Sequence, residues 1–275
     1  MPATGSSGYH TQSLSIRLQA DGFSFFVCDQ HTNILVRGEH FSLAEGELLS
    51  DRLLLELSRP DYSHRALSQA YVLLTGPSTC VPLEEFRRDE AAAIYDFTLG
   101  RSPEHHRVAY TILPQLECVE LFAVDTDVEE VVLQYFPTAR FFSSRAMLME
   151  RLMLADADAG GDHVRLYICP EDAGYSIFAY ADSRLRFANT FETAAEADAL
   201  YFVLNVFQQL GLAAETDHVV MVAPRRERDQ QLAKQLAGYV LHVDSLATTD
   251  LFPRVRLAAE PEVPVDLMAL LLNRL

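Results

Sequence analysis

The chain has 275 residues, 49% of them hydrophobic and 22% charged, which are the proportions of a folded globular protein and exclude a disordered or collagen-like one. Its 22 basic residues stand against 39 acidic ones, and the resulting formal charge of −17 disfavours nucleic acid and anionic lipid as partners. Lys234 is the single lysine, so a phosphate-loop lysine or a Schiff base has one candidate.

Three short β-like runs open the chain, Leu14 to Leu18, Phe23 to Cys28 and Ile34 to Phe41, separated by turn-forming stretches at Ala20-Asp21-Gly22 and 29–33. That pattern predicts an antiparallel meander. Leu43 to Leu57 carries apolar residues at helical spacing and stops at Ser58-Arg59-Pro60. Ala70 to Thr75 reads as a strand buried on both faces, and Val81 to Phe97 as a helix. A hairpin follows around Pro114-Gln115, joining Val108–Leu113 to Glu117–Val124. Next come a helix from Val128 to Phe136, a short strand at Arg140–Phe142 and a helix from Ser143 to Leu154. That last helix holds three of the six methionines; the side chains suit core packing, and also a surface that docks a partner.

The small, polar, glycine-bearing stretch from Asp156 to Asp162 reads as a linker. It sets a first domain at 13–155 and a second at 163–275. Its Asp156, Asp158, Gly161 and Asp162 echo the start of a calcium loop, but Tyr167 stands where the bidentate Glu belongs, so a solvated linker is expected. Beyond it the order repeats: β-like runs at Val164–Cys169, Tyr175–Tyr180 and Leu185–Phe191, then a helix from Thr193 to Leu210 with Thr193 and Glu196 at capping-box spacing. Gly211 closes that helix. A strand at His218–Ala223, a helix from Pro224 to Ala237 stopped by Gly238, and a strand at Tyr239–Val243 complete the pattern. A shared order of β-β-β-α-β-α at an offset of about 150 residues points to an internal duplication.

This doubled order resembles the ribonuclease-H-like fold as it is paired in the actin-like ATPase superfold, which includes actin, sugar kinases and pilus and secretion proteins. It is also similar to an uncharacterised bacterial family of this length built on that plan. The implied fold is α/β: two ribonuclease-H-like domains in an actin-like ATPase arrangement, with a small hairpin-and-helix elaboration in the first half. In active members of the superfold, an Asp-x-Gly at the end of the first strand of each half holds magnesium and admits phosphate. Here those strands end Ile16-Arg17-Leu18-Gln19 and Ile168-Cys169-Pro170, and the glycine pair expected beside adenosine is replaced by Pro224-Arg225. Asp21-Gly22 and Asp172-Ala173-Gly174 sit in the hairpin turns, where Asp and Gly serve any turn. Arg17, Asp21, Gly22, Asp172 and Gly174 are therefore the residues to examine in the cleft that the resemblance implies.

The four cysteines, Cys28, Cys80, Cys118 and Cys169, show no Cys-x-x-Cys and are expected reduced and structural. Glu104, His105 and His106 read as ordinary loop residues, and Arg225, Arg226 and Arg228 as a charged, solvated first helical turn. No stretch of 18 apolar residues and no hydrophobic leader is present, so a cytoplasmic protein without membrane insertion is expected. We expect no cofactor, no metal and a protein partner: an inert scaffold that keeps the superfold. The competing expectation is an ATP-dependent kinase or ATPase with a displaced metal site using Asp21 or Asp172.

Overall fold

The computed structural model describes residues 12–29, 34–62, 67–100, 104–193, 195–253, 256–257 and 263–272. A meander of β1 (Gln12–Gln19), β2 (Gly22–Asp29) and β3 (Ile34–Ser42) opens it, followed by α1 (Leu49–Leu57) and β4 (Leu67–Leu74). Next come β5 (Ser78–Pro82), α2 (Ala91–Leu99), β6 (His106–Leu113), β7 (Cys118–Asp125), α3 (Thr126–Tyr135), β8 (Arg140–Ser143) and α4 (Ser144–Ala159). The second half contains β9 (Arg165–Pro170), β10 (Gly174–Ala181), β11 (Arg184–Glu192), α5 (Glu196–Gln209), β12 (His218–Val222), α6 (Glu227–Leu236) and β13 (His242–Leu246). It closes with α7 (Thr248–Leu251), β14 (Arg256–Leu257) and α8 (Val265–Leu272).

The two large sheets share one topology. The first is ordered β14-β3-β2-β1-β4-β8 and the second β11-β10-β9-β12-β13. In each, the first three strands are antiparallel and the next two join in parallel. The elaboration of the first half is a third sheet, β5-β7-β6, covered by α2.

Burial explains the layers. Leu14, Ile16 and Leu18 of β1 point to one face and pack with Leu53 and Leu57 of α1 and Val128 and Val132 of α3. In the second half Leu166 and Ile168 of β9 pack likewise against α5 and α6 through Val203, Val206 and Leu232. Between the two sheets lie α4 and α8, with Met147, Met149, Leu152, Leu267 and Met268 in a single core with Leu73, Tyr167 and Tyr180. The methionine helix is thus an interior element, in keeping with its core-packing reading, and Met147, Met149 and Met153 do not form a surface. No helix among the described residues is long and apolar enough to cross a membrane.

Several predicted boundaries move. The segment from Val81 to Phe97 is not one helix: Ser78–Pro82 pairs with β7 from Ser78↔Phe122 to Pro82↔Cys118, and the helix is confined to Ala91–Leu99. Strand pairing, invisible in a local pattern, captured its first residues. The helix predicted from Leu43 begins at Leu49, because Leu43 donates its N–H to the Asp21 carbonyl and holds the preceding stretch against the first hairpin. The helix predicted from Thr193 begins at Glu196, and its cap is Ala195, whose N–H donates to the Asp198 carboxylate. The helix predicted from Pro224 begins at Glu227, and the last strand starts at His242 rather than Tyr239. The first four residues of the predicted linker, 156–159, belong to α4. Asp156 is buried there and accepts hydrogen bonds from Arg165, the Tyr167 hydroxyl and the Ser183 N–H. The second half also reaches back, since β14 adds to the first sheet beside β3.

Candidate functional site

A cleft of about 240 Å³ opens where the first strands of the two halves end, lined by Arg17, Gln19, Cys169, Glu171, Asp172, Ala223, Arg225, Arg226 and Asp266, among others. Strand alternation puts Arg17 there. With Ile16 and Leu18 turned to the opposite core, Arg17 faces the space between the halves and is 6% exposed.

Burying a guanidinium requires a counter-charge, and α8 supplies one. Arg17 Nε donates to Asp266 Oδ2 at 2.8 Å, and Asp266 is 5% exposed. Burial alone lowers the Arg17 pKa, but the charge and hydrogen bond of Asp266, helped by Glu171 and Asp172, hold it above the ordinary arginine value. Asp266 itself takes a 2.8 Å bond from the Leu267 N–H at the start of the helix.

Asp172 occupies the turn between β9 and β10 on the far wall. Its Oδ2 accepts from Gln19 Nε2 at 2.9 Å and lies 3.9 Å from an Arg17 terminal nitrogen; its Oδ1 accepts from Arg226 at 3.0 Å. Burial raises its pKa, yet the bond from Gln19 and the charges of Arg17 and Arg226 prevail and hold it below the usual aspartate value. Arg226 and Arg228 also donate to the carbonyls of Glu171 and Asp172. The first turn of α6 is exposed at Arg225 and Arg226 as expected, and it also clamps this hairpin. Glu171 beside it behaves oppositely: burial, then the charge of Asp266, pushes its pKa to about 7 despite a 2.8 Å bond from the Ser176 hydroxyl.

The remaining sequence candidates lie apart from this network. Asp21 is exposed in the first hairpin turn, its carbonyl occupied by Leu43, and does not line the cleft. Gly22 and Gly174 serve the sheets: a Cβ on Gly22 would lie 2.1 Å from the Phe41 carbonyl oxygen, and one on Gly174 would lie 1.9 Å from that of Phe191. At the far end of β12, Ala223 takes a left-handed φ of 44°, a conformation that favours glycine, immediately before Pro224-Arg225, where the resemblance expected the adenosine-side glycines. His105 turns through φ 65° with its carbonyl holding Thr126, and His106 Nδ1 donates to the Glu104 carbonyl, so the loop-residue reading accounts for both.

Two cleft residues escaped sequence reasoning. Asp266 had a signal, a lone carboxylate within the apolar octet Val265–Leu272 behind Pro264, which marks either a cap or a buried ion pair. Glu171 had none, because its environment comes from residues distant in sequence.

The family profile described as "Protein of unknown function (DUF3822)" matches residues 7–243. The chain belongs to the DUF3822 family. A protein from Bacteroides thetaiotaomicron VPI-5482, described as having an actin-like ATPase fold and unknown function, superposes with a TM-score of 0.79 at 21% identity, covering 98% of this chain and 99% of that one. The PilM-PilN type IV pilus biogenesis complex contains a chain that superposes at 0.55 and 13% identity, covering 96% and 98%. No curated protein matches. This DUF3822 chain therefore has the actin-like ATPase fold, mixed α/β with two mixed sheets, and the element order that suggested it is accounted for.

Proposed function

We propose that this chain is a catalytically inert interaction or scaffold protein that retains the actin-like ATPase architecture without its phosphate chemistry. The observation that carries the reading is the buried Arg17–Asp266 pair, which fills the floor of the cleft with a charge the protein has already neutralised. A phosphate entering there must compete with Asp266 for Arg17 and approach Glu171 and Asp172. Asp172, the better placed of the two carboxylates in the kinase or ATPase alternative, is held by Gln19 and Arg226, and Asp21 stands outside the cleft. The glycines that would admit phosphate are committed to sheet contacts. A chain of the same fold in the PilM-PilN complex is at home in a protein assembly, which fits a protein partner here.

The test is a thermal-shift and calorimetric titration with ATP, with and without Mg²⁺. The expected result is no stabilisation at millimolar MgATP, whereas ligand at about 100 times its Kd adds about 2.7 kcal/mol. A saturable rise in Tm with matching calorimetric heat overturns the reading and favours the nucleotide-dependent one.

A further inference from the structure

Away from the cleft, the third sheet presents two cysteines to each other beneath α4. The register sets Cys80 opposite Glu120 and Pro82 opposite Cys118, so both thiols lie on one face as diagonal neighbours. Their sulfurs are 3.9 Å apart. The Cys80 thiol donates to Glu120 Oε2 at 2.8 Å and lies 3.7 Å from the Met149 sulfur. Glu120 is fully buried and held by Arg145, itself 5% exposed, through bonds of 2.8 and 3.2 Å. Cys28, Cys118 and Cys169 are buried, and Cys80 is partly open to solvent.

We propose that Cys80 and Cys118 form a reversible oxidation site that closes to an intramolecular disulfide when the protein meets a hydroperoxide. Three features combine: a partly exposed cysteine, a second sulfur poised to resolve it, and a carboxylate and guanidinium that manage the proton and the charge. The Cys80 proton passes to Glu120 as its sulfur attacks one peroxide oxygen. The O–O bond breaks, the alcohol or water leaves after taking a proton, and Cys80 becomes a sulfenic acid. The Cys118 thiolate then attacks the Cys80 sulfur, the S–S bond forms, and the departing hydroxide leaves as water. Two thiols and one hydroperoxide thus give one disulfide, one alcohol or water, and one water. The hydrogen bond to Cys118, burial and the Glu120 charge hold the Cys80 pKa well above the ordinary thiol value, so Cys80 reacts as its proton passes to Glu120, whereas the same hydrogen bond lowers the Cys118 pKa and Arg145 favours the thiolate at either sulfur. Diagonal strand neighbours sit about 7–8 Å apart at Cα, wider than most disulfides span, so closing the bond requires the two strands to shift.

The experiment exposes the folded, reduced protein to hydrogen peroxide, quenches it, unfolds it in N-ethylmaleimide and maps tryptic peptides by mass spectrometry. Each cysteine falls on its own tryptic peptide, 18–37, 66–87, 108–140 and 166–184. The expected result is loss of two of the four alkylatable thiols, appearance of the 66–87 to 108–140 cross-link, and full recovery with dithiothreitol. In Cys118→Ser, dimedone should trap a sulfenic acid on Cys80. Four alkylated thiols after treatment overturn the proposal, as does a link through Cys28 or Cys169, an intermolecular disulfide, or sulfinic acid on Cys80 without the cross-link. The wild-type map decides the matter even if the variant fails to fold.

Discussion

Arg17 and Asp266 are 249 residues apart in the chain and meet in a 2.8 Å ion pair that tethers the first strand of the first half to the last helix described. Removing Asp266 leaves a buried guanidinium whose remaining counter-charges are the half-exposed Asp172, 3.9 Å away, and Glu171. Asp266→Ala is expected to lower stability by about 3–5 kcal/mol, and the double replacement Arg17→Met with Asp266→Leu to recover most of that loss. Urea denaturation of the three proteins checks it; equal losses in the single and double variants would count against the pairing.

Gly22 and Gly174 are matched positions of the two halves, each opposite a phenylalanine carbonyl. Gly22→Ala and Gly174→Ala should each cost several kcal/mol, about 2 or more, because a backbone oxygen has nowhere to retreat within a paired sheet. Gly76→Ala, where a Cβ meets nothing within 4 Å, is the control and should stay within about 0.5 kcal/mol. Thermal melts of the three variants make the comparison, and a Gly174→Ala protein as stable as the Gly76→Ala control would sink the sheet-contact explanation.

Glu171 gives a pH signature. Its folded pKa of about 7 lies above the ordinary 4.5, so the folded state binds this proton more tightly than the unfolded state does. Stability from this group is then fully present below about pH 4.5 and lost as pH rises through 7. Glu171→Gln, which stays neutral, should match wild type near pH 5 and exceed it by about 1–3 kcal/mol at pH 8. Denaturant melts at the two pH values measure this, and a difference independent of pH would refute it.

A fourth expectation concerns the clamp on the β9–β10 turn. Arg226→Ala removes donors to the carbonyls of Glu171 and Asp172 and to the Asp172 carboxylate at a half-exposed site, so a cost of about 1 kcal/mol is expected. Faster amide exchange at residues 171–174 in hydrogen-exchange mass spectrometry should accompany it, with exchange in the β5–β7 sheet unchanged.

Much of the architecture was legible because its causes are local. Tight turns, the short apolar β-like runs Phe23–Cys28 and Tyr175–Tyr180, and the helix-stopping Gly211 and Gly238 are short-range facts that set element type and order, and the repeated order pointed to the fold. What needed the tertiary structure was everything fixed by partners distant in the chain. The pull of Ser78–Pro82 into a strand came from β7, the burial of Asp156 from Arg165, Tyr167 and Ser183, and the interior place of Met147, Met149 and Met153 from α8 and both sheets. The cleft divides the same way. Alternation along β1 set Arg17 on the face opposite Ile16, a property of the strand alone. Whether that guanidinium met phosphate or carboxylate depended on Asp266, brought to it only when α8 packs between the sheets, because charge pairing follows distance in space and the linear sequence does not record it.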